Sequence, residues 1–513
     1  MPEPLKFGEL DFKLVSSMED SRSLPTDDDQ FRIVILGDFS GRAGKGISKS
    51  GLAGMKPLLV DRDNFDEVLR KLNAEIKLSI LGKDSLPVNV SFSNIDDFHP
   101  DSLYERIEVF RALKETREGL RDPAIFAPVS EKTMQDEQVD ITPIISALEK
   151  DAKTGGDAGL LDRVIEESEG SMTRAGSGQS DSRSDSEMEG FLKKITSPHI
   201  VPNVEREHAG MIASVDAASS ELMRRIIHHT DFQAIESAWR AVYFLISRLE
   251  TDEQIKLYLF DISKEELAAD LSSANDLRKT GIYSLLVEQT VGTFGGEPWT
   301  VIAGNYVFKN DINDIGLLGR IGKIARAAGA PFISSVSDKF PGCKSLAESP
   351  NPDDWRESED DKAWNTLRKI PEASYLGLAL PRFLLRLPYG TDTIPLERFM
   401  FEEMGNFPVH EHYLWGNPLF ICVCLLAQSF ISEGWEFQQD QLMEIEGMPL
   451  HVYKENGDAV VKPCVEVVLT EKAAEKILDK GIMPLLSFRN QDIIRLARFQ
   501  SVADPPANLS GKW

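Results

Sequence analysis

The tract Ser171-Met-Thr-Arg-Ala-Gly-Ser-Gly-Gln-Ser-Asp-Ser-Arg-Ser-Asp-Ser186 has almost nothing to bury. Apolar burial is what offsets the entropy of ordering a chain, so no core can be built through this stretch, and it is expected to be disordered. A chain of 513 residues has enough material for sizeable cores on either side of such a break. The expected organisation is an arm over 1–30, an α/β domain over 31–122, a linker over 123–212 and a second α/β domain over 213–513. Within the linker, Leu160-Leu-Asp-Arg-Val-Ile-Glu-Glu167 places Leu160, Leu161, Val164 and Ile165 at the spacing of a short amphipathic helix between flexible flanks.

In the arm, Leu10, Phe12 and Leu14 alternate with Glu9, Asp11 and Lys13, the period of a half-buried strand. It is either an edge strand of its own domain or an arm that adds to a neighbour's sheet. Residues 31 to 36 form a continuous apolar strand ending at Gly37. Asn64 is placed to cap a helix with Glu67 three positions on, and Phe65, Val68, Leu69 and Leu72 form its buried stripe. Two alternating strands, Ile76/Leu78/Ile80 and Val88/Val90/Phe92, are joined by a turn over Gly82 to Pro87. From Asp101 a helix turns Leu103, Ile107, Phe110 and Leu113 inward, which closes a self-contained β-α-β-β-α unit near Asp122.

The second region begins near Ser214. Thr230-Asp-Phe-Gln233 reads as a capping box, followed by Ile235, Trp239, Val242 and Ile246 at helical spacing. Ile255/Leu257/Leu259 is a strand, and Ser263-Lys-Glu-Glu266 caps another helix. Tyr283 to Thr290 and Trp299 to Phe308 flank a turn at Gly295 and Gly296. Helices near 311–329 and 417–433, with strands near 331–336, 375–380 and 463–469, complete a mixed layer architecture of the α/β class.

The formal net charge of -26 repels phosphate backbones and anionic lipid heads, which argues against nucleic acid and membrane surfaces as partners. Leu419 to Ala427 is the longest apolar run; it is far short of the roughly 20 residues of a bilayer span and is expected to be a buried core helix. No signal peptide is visible at Met1, and four cysteines without CxxC spacing suit a reducing cytoplasm.

Catalytic chemistry is poorly supported. Gly41-Arg-Ala-Gly-Lys-Gly46 follows a strand like a phosphate loop, but Phe39 stands where the first glycine is needed and Gly46 where Ser or Thr is needed. A mobile basic loop is the expectation; a nucleotide-binding enzyme using Lys45 is the remote alternative. His228 and His229 are expected at a helix C-terminus in favourable contact with its dipole. His410 and His412 flank Glu411, without a third ligand at metal spacing. Acidic pairs at 96–97, 265–266 and 402–403 are read as structural residues of helix starts and turns. No cofactor or metal is implied.

Two distant segments carry a resemblance. Phe31-Arg-Ile-Val-Ile-Leu-Gly-Asp-Phe-Ser-Gly-Arg42 resembles the opening of the small sheath subunit of the bacterial type VI secretion system, and Asp61-Arg-Asp-Asn-Phe-Asp66 and Ile95-Asp-Asp-Phe-His-Pro100 add to it. Pro381-Arg-Phe-Leu-Leu-Arg-Leu-Pro-Tyr-Gly390 resembles a signature of the large sheath subunit. So do His229-Thr-Asp-Phe-Gln-Ala-Ile-Glu-Ser-Ala-Trp-Arg240, Phe294-Gly-Gly-Glu-Pro298, Ala303-Gly-Asn-Tyr306 and Tyr413-Leu-Trp-Gly-Asn417, in order and spacing. The chain thus looks like a fusion of two subunits that are normally separate.

The resemblance implies a structural role with no catalytic residues. Two intertwined α/β regions would form a protomer. Hexameric rings of protomers would stack into a helical sheath around an inner tube protein, on a baseplate that is itself docked to a membrane. Signature positions Asp38, Asp63, Phe65, Trp239, Arg240, Gly295, Gly296, Asn305, Arg382, Arg386 and Trp415 would be core and interface residues. Leu10, Phe12 and Leu14 would be a strand donated between subunits. The helix at Leu160 resembles one that an AAA+ unfoldase engages during recycling; docking on its own protomer is the other reading. The family continues with a C-terminal segment beyond the Arg495–Ser501 match, so a chain stopping at Trp513 is expected to link differently, and a non-contracting accessory or baseplate component is the alternative function.

Overall fold

The structure is a computed structural model that describes residues 29–46, 51–79, 88–121, 204–251, 254–356, 358, 360–405 and 408–513. The arm residues Leu10, Phe12 and Leu14, the turn over 82–87, the helix at 160–167 and the Ser-rich tract lie outside them.

The strands are β1 (Phe31–Gly37), β2 (Leu58–Val60), β3 (Glu75–Leu78), β4 (Val88–Ser91), β5 (Ile255–Asp261), β6 (Val301–Phe308), β7 (Phe332–Val336), β8 (Leu376–Leu380), β9 (Phe383–Leu384), β10 (Trp415–Gly416), β11 (Glu444–Ile445), β12 (His451–Glu455), β13 (Asp458–Lys462), β14 (Met483–Ser487) and β15 (Ile494–Leu496). The principal helices are α1 (Phe65–Leu72), α2 (Pro100–Arg106), α3 (Glu108–Arg121), α4 (Val204–Ile227), α5 (Thr230–Arg248), α6 (Lys264–Ser272), α7 (Ile312–Ala328), α8 (Asp361–Leu367), α9 (Leu419–Glu433) and α10 (Glu471–Asp479).

A nine-stranded sheet runs in the order β11-β15-β14-β8-β7-β6-β1-β5-β2. Its middle is parallel, and β2, β15 and β11 join antiparallel at the edges. β1 is buried at every position, which is why its sequence is an unbroken apolar run rather than an alternating one. Phe31, Ile33 and Ile35 enter one core; Val34 and Leu36 enter the other. Helices α4, α5 and α9 line the first face, and α6, α7, α8 and α10 the second.

This placement corrects the expectation of self-contained units. β1 does not pair with β3 or β4. It lies between β5, in register from Phe31–Ile255 to Gly37–Asp261, and β6. β3 and β4 pair only with each other among the described residues. The two regions are intertwined through the strand that each would need as its centre.

Local readings hold in part. α1 buries Phe65, Val68 and Leu69, but Asn64 does not cap it through its side chain; its Oδ1 instead accepts from the N–H of Asp61. The helix from Asp101 begins at Pro100 and breaks at Ile107 into α2 and α3. Ser263 and Glu266 form the expected capping box. At Thr230 the box does not form: His229 is extended and its Nδ1 accepts from the N–H of Asp231 at 3.2 Å, so Thr230 is already helical. Gly281 to Glu288 is helical, capped by Thr280 and by the Asp270 carboxylate, which accepts from the N–H groups of Gly281 and Ile282 at 3.0 and 2.8 Å. Residues 463–469 form no strand, only a bridge from Val465 to Phe383.

α9 and the turn that follows it, Leu419–Glu436, are long and apolar enough to cross a membrane, but Leu419 to Ala427 are all buried in the first core, Cys422 and Cys424 among them.

Candidate functional site

Three charged clusters join distant parts of the chain. The first closes the loop after β1. Asp38 accepts from the N–H groups of Arg42 and Ala43 at 3.0 and 2.7 Å. Arg42 binds Glu266 through Nη2 at 2.8 Å and Asp261 through Nη1, while Asp261 Oδ1 accepts from the N–H groups of Phe39 and Ser40. Burial opposes the Arg42 charge, but the two carboxylates prevail and raise its pKa. Lys45 sits 3.4 Å from Glu75. The cations of this loop are thus committed to carboxylates, which corrects the reading of a mobile basic loop. Trp239 Nε1 donates to Phe39 O at 2.9 Å, and Phe39 and Phe65 meet its ring edge-on.

The second cluster is buried between α5 and the segment after β9. Arg386 binds Glu403 bidentately at 2.7 and 3.1 Å and reaches Glu236 through Nε at 2.9 Å. Arg240 shares Glu236 at 2.7 Å and donates to Tyr389 Oη at 3.0 Å. Burial would raise the Glu403 carboxyl, but Arg386, with the Tyr389 N–H and His228 beside it, holds it down to about 2. Arg386 is raised well above its ordinary value by the same partners, against the cost of burial. His99, from the first region, meets the Tyr389 ring edge-on at 5.0 Å.

The third cluster fixes the start of β9. Arg382 pairs with Glu466 through its side chain and its own N–H, and lies 3.5 Å from Glu411 and over the Trp415 ring. His410 bridges Glu466 at 3.1 Å and Lys462 at 2.9 Å. Burial would raise Glu466, but its contacts with His410 and Arg382 lower it to about 2.

Trp239 and Phe65 thus meet in the first cluster with Asp38 above them; Arg240 and Arg386 meet in the second, Arg382 and Trp415 in the third. Asn305 lies apart, at a register shift in β6, where Gly304 is required because a Cβ would come within 2.4 Å of the Phe332 ring. Gly295 and Gly296 form a remote exposed turn, and Asp63 is exposed with its N–H bonded to Asp61. Sequence reasoning missed Glu236, Asp261 and Glu466, and saw Glu403 only as half of an acidic pair. A carboxylate partner 150 residues from its arginine leaves no local trace. His228 lies at the C-terminal end of α4, and its ring stacks on that of His412, which ends a short turn and not a strand. Among the described residues no group of His, Cys, Asp and Glu is arranged to hold a metal ion.

A family model described as EvpB/VC_A0108, tail sheath N-terminal domain, matches residues 209–503. The chain belongs to this tail sheath family. The model described as type VI secretion system, VipA, VC_A0107 or Hcp2, matches residues 20–142 of the same chain. Two sheath families are therefore fused here, and the first and second clusters lie where their matched regions meet. A Pseudomonas aeruginosa protein, type VI secretion system sheath protein TssC1, is 34% identical over 304 residues, which is 58% of this chain and 61% of that relative. The chain thus spans about three fifths of the length of this sheath relative.

Proposed function

We propose that this chain is a structural subunit of the contractile sheath of a type VI secretion apparatus, built by self-assembly in the cytoplasm around an inner tube and on a baseplate. The observation that carries this reading is β1. A strand from the region matched as VipA sits between two strands of the region matched as tail sheath. Two halves that share one sheet act as a single rigid building block, which suits a wall that must transmit force. The energy of such a device lies in the difference between two packings of the same subunits, so no reactive group is needed. The arm at Leu10, Phe12 and Leu14 is assigned to strand donation between subunits, and the helix at Leu160 to an unfoldase contact.

Electron microscopy of the purified protein, alone and with its cognate tube protein, tests the reading. Hollow tubes built of stacked rings are expected. Monomers or small closed oligomers under both conditions would overturn it.

A further inference from the structure

Histidine is the side chain that changes charge nearest to neutral pH, and two histidines are stacked at the junction. His228 follows the last turn of α4, and His412 ends the short turn His410–His412. Their ring centroids are 3.8 Å apart and their planes 12° from parallel. The buried Nε2 of His228 is aimed at Glu403 Oε1 at 3.5 Å, too long for a well-formed hydrogen bond. Glu403 is already held by Arg386 and the Tyr389 N–H.

The remaining charged groups around the pair come from three elements. On α4, Arg224 and Arg225 share Glu221, and Arg224 Nε also donates to Glu402 O. On α5, Glu236 and Arg240 stand behind Arg386. On the turn itself, Glu411 lies beside Arg382. A proton on His228 Nε2 has a carboxylate in front of it. A proton on His412 has the second imidazole stacked on it and Arg224 near it, set against Glu403 and Glu221. Burial first, and His228 next, push the His412 pKa below the ordinary histidine value. Its folded pKa is thus depressed, so the stability it contributes is complete above about 6.5 and is lost as pH falls below that value.

We propose that the His228–His412 stack is an acid-sensitive latch, which holds residues 409–413 against the end of α4 and releases them when His412 gains a proton. A charged ring stacked on a second imidazole, with Arg224 nearby, is disfavoured in a partly buried site. Gln233 Nε2 donates to Glu411 O at 3.1 Å, and Ser237 Oγ to Trp415 O at 2.8 Å; His410 stays on Glu466 and Lys462, Tyr413 on His451, and Trp415 and Gly416 pair with β9, so the release is local to the His412 side of the turn. The latch belongs to the fold of the single chain and does not depend on its assembly.

Hydrogen exchange read by mass spectrometry between pH 7.5 and 5.5, corrected for the intrinsic rate, tests it. Protection of residues 409–413 is expected to fall about tenfold in the native protein. His412→Phe keeps an aromatic stack without the charge and is expected to retain protection. If it does not fold, His228→Phe gives the same reading, since it leaves no second imidazole against a charged His412. His99 and His451 are also depressed by burial, so a global loss of stability in this window is not the signal; the local readout is. An unchanged loss in the variants, or no loss in the native protein, overturns the latch.

Discussion

Arg386 has 7% of its side chain exposed and two carboxylates around it, Glu236 and Glu403, that are almost fully buried. Removing one partner from a buried ion pair strands the other, at a cost of about 3–5 kcal/mol. Arg386→Ala is expected to lose that much in urea unfolding. Glu236 keeps Arg240 at 2.7 Å, so the double variant Arg386→Leu with Glu403→Leu is expected to lose less than Arg386→Ala alone. An equal or larger loss in the double variant would show that Glu236 depends on Arg386. Acid titration probes the same residues. Glu403 and Glu466 are both depressed to about 2, so their stabilisation is full above the ordinary carboxylate value near 4.5 and is lost as pH falls from there toward 2. Glu466→Gln is expected to lower stability above pH 5, where the ionised carboxylate contributes in full, and to flatten the curve between about 4.5 and 2, as measured by thermal melts at stepped pH. A curve as steep as the native one would show that Glu466 does not contribute to the acid transition.

At the scale of elements, β1 decides whether the two matched regions can live apart. Without it β5 and β6 each expose a row of unpaired backbone groups in the centre of the sheet, which is costly and prone to aggregation. A fragment of residues 204–513 expressed alone is expected to be insoluble, and to become soluble when residues 1–122 are co-expressed; a folded, monomeric 204–513 would contradict the central role of β1. The strand itself was legible, because complete burial imposes an unbroken apolar run. So were α9, by its composition, and α6, by its capping box. The partners of β1 were not, since the residues it pairs with lie more than 200 positions downstream and any buried parallel neighbour would leave the same pattern. The helix at 281–288 escaped although Thr280 caps it locally, because it starts on a glycine and draws its remaining cap from Asp270, eleven residues upstream of Gly281. The hairpin of β12 and β13 was missed although Asn456-Gly457, both at positive φ, is a strong turn signal between alternating strands. The clusters follow the same rule: Asp261 and Glu466 fell in no recognisable segment, and Glu236 and Glu266 fell in such segments without a local sign of the arginines they meet.

For the whole molecule, net charge opposes the proposed self-association. Each copy carries a formal -26, and copies stacked as proposed would bring like fields close together. Several of the cations that could offset this, Arg42, Arg240, Arg382 and Arg386, are spent on internal carboxylates. Contacts between copies must then draw on apolar burial and backbone pairing, neither of which salt weakens. Screening lengths shrink from about 30 Å at 0.01 M to about 8 Å at 0.15 M ionic strength, which removes most of the repulsion between exposed charges. If the chain assembles as proposed, raising salt across this range is expected to increase the fraction that sediments as polymer. Assembly that weakens with salt would mean that ion pairs between copies, rather than apolar and strand contacts, hold the wall together.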